Sequence, residues 1–482
     1  MEEGLLQRRP ASEGKEHERR RLFAGSQLVE EAGRLGWLAA PMVAVSLSLF
    51  MLMVMSMMMV GHLGELALSG TAIATSFTSV TGISLLMGMA SGLDTLCGQA
   101  FGAEQYQKLG THTHTAIFTL FLVCLPVSLL WASVDRILCF LGQDPQISQE
   151  AGRYAAWMIP ALFAFAVSQP LMRFLQAQSL ILPMLMAAFF TLCLHAPLCW
   201  ALVFKSCLGN AGAALAIGIS MWVNALILGL YVYYSSSCKA TRAPLTREAF
   251  WNVREFLRLA LPSALMICLE WWSFELLILM SGLLPNPQLE TSVLSICLST
   301  ISTLYAIPYG IGAAVSTRVS NELGAGNPAG AQASVFVAIL VTATEGATVS
   351  LALFSMRRSW GYAYSNVEEV VHYAVKMAPL VCASIITDAL QGVISGVARG
   401  CGWQHLGAAV NLASFYLFGI PVALVLGFRL HLQGRGLWTG ILCGSTLQTV
   451  LLSLLTGFIN WEHQANKARK RVFGGSGEVA DF

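Results

Sequence analysis

The sequence predicts an all-α polytopic membrane protein with twelve transmembrane helices in two parallel six-helix lobes. Three observations carry this prediction. Of 482 residues, 56% are hydrophobic and 11% charged, and the mean hydropathy is +0.64, whereas soluble domains carry about a quarter charged residues. Apolar stretches of about 20 residues recur from Leu38 to Ile459, each long enough to cross a hydrocarbon core of about 30 Å as a helix. The second half of the chain also echoes the first.

Taken in order, apolar runs between charged or turn-rich breaks place spans at 37–60, 71–94, 112–134, 154–176, 180–204, 211–234, 256–284, 291–317, 333–356, 371–398, 404–428 and 436–460. Residues 1–35 are then a polar N-terminal tail, 36–234 the N-terminal lobe, 235–255 a linker, 256–460 the C-terminal lobe and 461–482 a basic tail. Basic residues cluster in the head (Arg8, Arg9, Lys15, Arg19, Arg20, Arg21), the linker region (Lys239, Arg242, Arg247, Arg254, Arg258) and the tail (Lys467, Arg469, Lys470, Arg471). With an even number of crossings, 20 of the 28 Lys and Arg fall on the side of both termini. Basic flanks stay in the cytoplasm, so both termini, the linker and the tail are expected there. The clusters therefore read as topology signals, and no nucleic-acid partner is expected. No short secretory signal is read, because the first apolar run is of span length.

The repeat has an offset of about 220 residues. Leu38-Ala-Ala-Pro41 matches Leu259-Ala-Leu-Pro262, and Gln99-Ala-Phe-Gly102-Ala103 matches Asn321-Glu-Leu-Gly324-Ala325. Tyr154 with Pro160 matches Tyr373 with Pro379, and Pro197 with Gly212 matches Pro421 with Gly436. Six spans per half start both halves on the same side, giving parallel lobes that meet at a central cleft. Most of the twelve cysteines lie in apolar runs, where a thiol behaves as a small hydrophobe, and neither a disulfide framework nor a metal site is expected.

No phosphate loop, zinc helix or nucleophile elbow is present, so ATP-driven chemistry is not expected and an ion gradient is the energy source to consider. Acids deep in spans are costly and therefore informative. Glu270 lies near the middle of the seventh span and Asp388 near the middle of the tenth. In low-dielectric surroundings the ionised carboxylate is disfavoured, so such a group takes up and releases a proton, which proton coupling requires. Ser384, Asp388, Gln391 and Ser395 share one face of the tenth helix, with Arg399 further along near the same azimuth. Glu345 is mid-span but isolated, and Glu275 lies about 140° around the helix from Glu270, which assigns it to another face or to an outer vestibule. His195 has the pKa range of a proton shuttle and equally suits a hydrogen-bonded packing role. Trp271, Trp272, Phe274 and Tyr305 offer π faces for planar or cationic solutes, and a methionine-rich stretch (Met51 to Met59) offers either an adaptable wall or a lipid-facing surface.

Three motifs together resemble one family. They are Leu93-Asp94-Thr95-Leu96-Cys97-Gly98-Gln99-Ala100-Phe101-Gly102-Ala103, Leu269-Glu270-Trp271-Trp272, and Arg318-Val319-Ser320-Asn321-Glu322-Leu323-Gly324-Ala325-Gly326-Asn327. They are similar to the multidrug and toxic compound extrusion (MATE) family, in its plant DETOXIFICATION branch, over residues 28–462. The resemblance implies a two-lobed antiporter, not an enzyme, that exports small organic solutes in exchange for protons, with sodium used by some bacterial members. It implies no cofactor beyond the gradient and a monomer in the plasma or vacuolar membrane. Glu270 is similar to the family's seventh-helix glutamate and Asp388 to its tenth-helix acid, the cation-coupling groups of the C-terminal lobe. The first span has Ser46, Ser48 and Ser56 but no acid, so coupling is expected in the second lobe alone. Cys297 stands where some animal relatives have glutamate, and Asp94 matches a family acid of structural role. A lipid-linked precursor flippase and a receptor or scaffold without a transport cycle remain as alternative readings.

Overall fold

The computed structural model describes residues 10–474, excluding the side chains of residues 10–27, Glu248 and Trp251. Of the expected basic head, Arg8 and Arg9 and the side chains of Lys15, Arg19, Arg20 and Arg21 lie outside the described residues. Among the described residues there is no strand, and twelve helices are long and apolar enough to cross a membrane. The first is α1 (Pro10–Gly61), whose apolar part is Leu28–Gly61. It is followed by α2 (Glu65–Gly102), α3 (Tyr106–Trp131), α4 (Pro145–Ala177), α5 (Ile181–Phe204) and α6 (Asn210–Tyr234). The second set is α7 (Val253–Ser281), α8 (Pro287–Gly324), α9 (Pro328–Ser355), α10 (Glu368–Cys401), α11 (Gln404–Arg429) and α12 (Gln433–Gly457). A shorter helix, α13 (Trp461–Phe473), closes the described chain.

Several helices outrun their apolar stretch, because hydrogen bonding propagates into polar flanks once the apolar part has nucleated it. Helix starts carry local signals. Asp144 accepts hydrogen bonds from the Gln146 and Ile147 amides at 2.9 and 3.1 Å ahead of Pro145, and Asn327 caps α9 ahead of Pro328 in the same way. Asp144→Ala is expected to lower stability by about 1 kcal/mol, the usual loss for an N-cap. Thermal unfolding in detergent measures this, and an unchanged midpoint removes the assignment.

The internal repeat reappears as matched packing. Gly212 packs against the backbone at Leu202 near the end of α5, and Gly436 packs against the backbone at Leu426 in α11, so a side chain at either position would collide with its neighbour. Gly102 and Gly324 meet each other's helices across the lobe boundary: a Cβ on Gly102 would strike the Asn321 backbone, and one on Gly324 the Gln99 backbone. The four glycines of the sequence echo are thus points of close backbone approach.

The linker is moored to the first lobe. Gln107 donates to the Ala240 carbonyl at 3.0 Å, and Thr241 donates to Gln178 at 2.8 Å.

The face at which α13 lies is the terminal face. Ties across the seam between lobes concentrate in its half of the bundle. Glu31 of α1 accepts two bonds from Arg318, both 2.9 Å, and one from Ser334. Thr95 donates to the Arg399 carbonyl and Gln99 to the Gly400 carbonyl. Gln176 reaches the Ala313 carbonyl and Thr317, and Asn321 reaches the Ala177 carbonyl. At the centre, Asp94 lies 3.3 Å from Arg173 of its own lobe and 3.3 Å from Arg399 of the other, with all three side chains buried. The segment 461–473, expected as part of a basic tail, is a helix packed on this face, with Ala465, Ala468 and Val472 buried.

Candidate functional site

A cavity of about 400 Å³ lies beside the seam, mainly within the second lobe. Three carboxylates line it, Glu270, Glu275 and Asp388, and no lysine or arginine does. The remaining wall is largely aromatic and aliphatic: Trp271, Phe274, Tyr305 and Phe415 from the second lobe, Phe50 and Val80 from the first.

Helix packing and local hydrogen bonds hold the two central acids. Gln391, one turn beyond Asp388 on α10, donates to Glu270 Oε2 at 2.7 Å and to Ser395 Oγ at 3.0 Å. Ser445 of α12 donates to Asp388 Oδ1. Behind them, Asn411 donates to the Met266 carbonyl at 2.7 Å, Gln448 donates to Asn411 Oδ1 at 2.7 Å, and Tyr416 donates to the Leu269 carbonyl at 3.1 Å. These bonds fix the relative positions of α7, α11 and α12. Among the described residues neither Glu270 nor Asp388 forms an ion pair; their partners are amide and hydroxyl donors. A carboxyl group so placed has no directly paired countercharge, and a proton or a cationic solute can neutralise it.

Two irregular helical segments shape the wall. The π-helical turns Ser79–Ile83 and Leu412–Gly419 bring Ser79 and Val80, and Phe415, to the cavity. Such turns shift side-chain azimuth and occur often at functional sites.

A MatE family model matches residues 41–201 and 262–425, one block in each lobe. Protein DETOXIFICATION 12 of Arabidopsis thaliana is 57% identical over 442 residues, covering 92% of both chains. The chain belongs to the MATE family. Protein DETOXIFICATION 14 of the same plant is 56% identical over 446 residues, again 92% of each chain. The crystal structure of the eukaryotic MATE transporter AtDTX14 superposes with a TM-score of 0.90 at 56% identity, covering 92% of this chain and 99% of that one. An outward-facing multidrug resistance MATE transporter of the MOP superfamily has a TM-score of 0.81 at 14% identity, which speaks to the fold alone. The protein is thus an integral membrane transporter of the DETOXIFICATION type and not an enzyme.

Within this MATE fold, Glu270, Asp388, Trp271, Phe274, Tyr305 and Gln391 line the cavity. Four sequence candidates do not. Trp272 turns to the seam and donates its indole N–H to the Val80 carbonyl at 3.0 Å. Ser384 accepts from the Trp438 indole at 3.1 Å and Ser395 from Gln391, so the ends of the α10 stripe are covered by neighbouring side chains. His195 is fully buried in the first lobe, with Nε2 2.9 Å from Ser56 Oγ and Nδ1 2.9 Å from Ser220 Oγ, the packing role weighed for it. Glu275, which lies around the helix from Glu270, also reaches the cavity. It lines the same cavity as Glu270 and accepts from Ser76 at 2.6 Å, because the cavity wraps around a wide arc of α7 from Glu270 to Glu275. Glu345 lies off the cavity wall, and its Oε2 has no hydrogen-bond partner. From α1 it is Phe50 that reaches the cavity rather than the methionines. Ser445 and Gln448, three apart on α12, were missed although the periodicity that found the α10 stripe would have flagged them.

Proposed function

We propose that this MATE-family protein exports small organic solutes from the cytoplasm in exchange for protons, by alternating access of the two lobes, with Glu270 and Asp388 carrying the proton. The reading rests on one observation: both acids face a single aromatic cavity that contains no basic residue. A site with negative potential and several ring faces favours aromatic solutes that are cationic or neutral, through charge attraction and cation–π contact. Protonation on the acidic side removes that attraction and releases the solute, and deprotonation on the cytoplasmic side restores it. The cycle requires only that affinity differ between the two states. With the terminal face in the cytoplasm, as the distribution of Lys and Arg supports, the tied half of the seam is the cytoplasmic half and the cavity belongs to the opposite side. The plasma membrane and the vacuolar membrane both suit that orientation. The working unit is a monomer, and the proton gradient takes the place of a cofactor.

The test uses purified protein in acid-loaded liposomes with a fluorescent aromatic cation outside. Uptake is expected to follow the pH gradient, to collapse with a protonophore and to be absent with a sodium gradient alone. Protein-dependent uptake that ignores the protonophore removes proton coupling. A complete lack of solute movement favours a receptor or scaffold.

A further inference from the structure

The C-terminal helix α13 bridges both lobes at the tied end of the seam. It follows α12 and so belongs by chain to the second lobe, where Trp403 donates its indole N–H to Gln464 at 3.0 Å. Its inner face, Ala465, Ala468 and Val472, is buried to within a few per cent, against α8, α9 and the end of α2. Two bonds then cross to the first lobe. Arg471 Nη1 donates to Gln99 Oε1 at 2.6 Å, and Lys108 of α3 donates through its ammonium to the Val472 carbonyl. The second bond places a cation on the carbonyls of the last turn, where the helix dipole favours one. Gln99 is buried and is also tied through its amide to the Gly400 carbonyl at 3.1 Å, so one side chain joins α2, α10 and α13. Gly402, with φ +82°, ends α10 next to Arg471. A Cβ there would lie 2.7 Å from the Arg471 guanidinium, so the turn leaves room for that side chain.

We propose that α13 is a latch that holds the lobes together at the terminal face and must let go of α2 and α3 before that face opens. The inference rests on the alternating-access reading above. Directly above the latch the seam is tightly closed, with Gly98 against the Ser320 side chain and Gly102 against the Asn321 backbone. Parting α2 from α8 there also pulls Gln99 from Arg471 and Lys108 from the end of α13. The two ties are polar and lie at the edge of the bundle, so water can replace them on release. The buried alanines are small and leave a smooth face, which costs little to slide or expose. Burial and the nearby Arg258 also hold the Arg471 guanidinium below the ordinary arginine range, so its charge gains hydration when the latch opens.

The test uses the full chain in nanodiscs, where both faces meet solvent, and a hydrophilic maleimide. Ser320→Cys places a near-isosteric thiol at a fully buried seam position that faces Gly98. Labelling at that site, read by peptide mass spectrometry, reports opening of the terminal half of the seam. Arg471→Ala removes one charge-assisted tie and is expected to speed labelling about tenfold, with Arg471→Lys restoring most of the slow rate. Ala468→Glu removes the packing and is expected to act in the same direction. An unchanged rate in either disrupting variant overturns the latch. So does an equal rise at Cys124 and Cys199, both buried within the first lobe, since that would make α13 a general support of the fold. The labelling requires neither solute nor gradient. If the export reading were wrong, liposome uptake would be missing while these rates stood.

Discussion

Glu270→Gln and Asp388→Asn are each expected to abolish accumulation driven by a pH gradient while leaving the chain folded. The substitutions are isosteric, and both preserve the hydrogen bond that holds the acid. A glutamine carbonyl accepts from Gln391 as Glu270 does at 2.7 Å, and an asparagine carbonyl accepts from Ser445 as Asp388 does. Stability should therefore change by no more than about 1 kcal/mol, the size of one net hydrogen bond. Transport changes far more. Two pH units across the membrane are worth about 2.7 kcal/mol per exchanged proton, which sustains a solute ratio of about a hundredfold. If the proton step needs both acids, loss of either one removes the difference in solute affinity between the two states, and the ratio is expected to fall to about one. Binding supplies an independent readout. In the parent protein a cationic probe is expected to compete with protons and to bind more weakly as pH falls, and in Glu270→Gln that dependence should flatten. Parental accumulation by either variant would show that its acid is not the proton carrier.

The fold was legible because a hydrocarbon core forces each crossing to satisfy its own backbone hydrogen bonds. Long apolar runs then have one regular solution, and the 220-residue echo, with Gly102 and Gly324 in register, tells how the two sets face each other. The central acids were legible for a related reason, since a carboxyl group in a span is expensive and the residues beside it on the helix, Trp271 and Gln391, share its surroundings. Periodicity gives azimuth but not what covers it, so Ser384 and Ser395 were indistinguishable from Gln391 until Trp438 and Gln391 itself were seen to cap them. Ser79, Val80 and Phe415 escaped because a π turn breaks the 3.6-residue count that a sequence reading assumes. The docking of α13 escaped because its buried face includes two alanines, too small to stand out from six charged or histidine neighbours in Trp461–Phe473.

A second large effect is expected at Asp94, through stability rather than transport chemistry. Its carboxylate stands between two guanidiniums at 3.3 Å each, and the side chains of Asp94, Arg173 and Arg399 are 1, 6 and 9% exposed. The trio carries one net positive charge while Asp94 is present and two when it is asparagine. Removing one partner of a buried pair typically costs about 3–5 kcal/mol, because the survivor keeps its desolvation penalty without compensation. Asp94→Asn is therefore expected to lower the unfolding midpoint severely or to stop the protein from accumulating. Arg399→Met should be milder, because Arg173 and Asp94 still neutralise each other and Arg173 retains Gln176 at 3.0 Å and Tyr309 at 3.1 Å. The ordering has a structural meaning. Arg173 and Asp94 belong to the same lobe and stay paired if the seam opens, so only Arg399 must leave and become hydrated. The double variant Asp94→Asn with Arg399→Met returns the trio to a single guanidinium and should recover part of the loss. Thermal unfolding of the four proteins decides the matter, and equal losses in the two single variants, or no recovery in the double, would mean that these charges do not act as a unit.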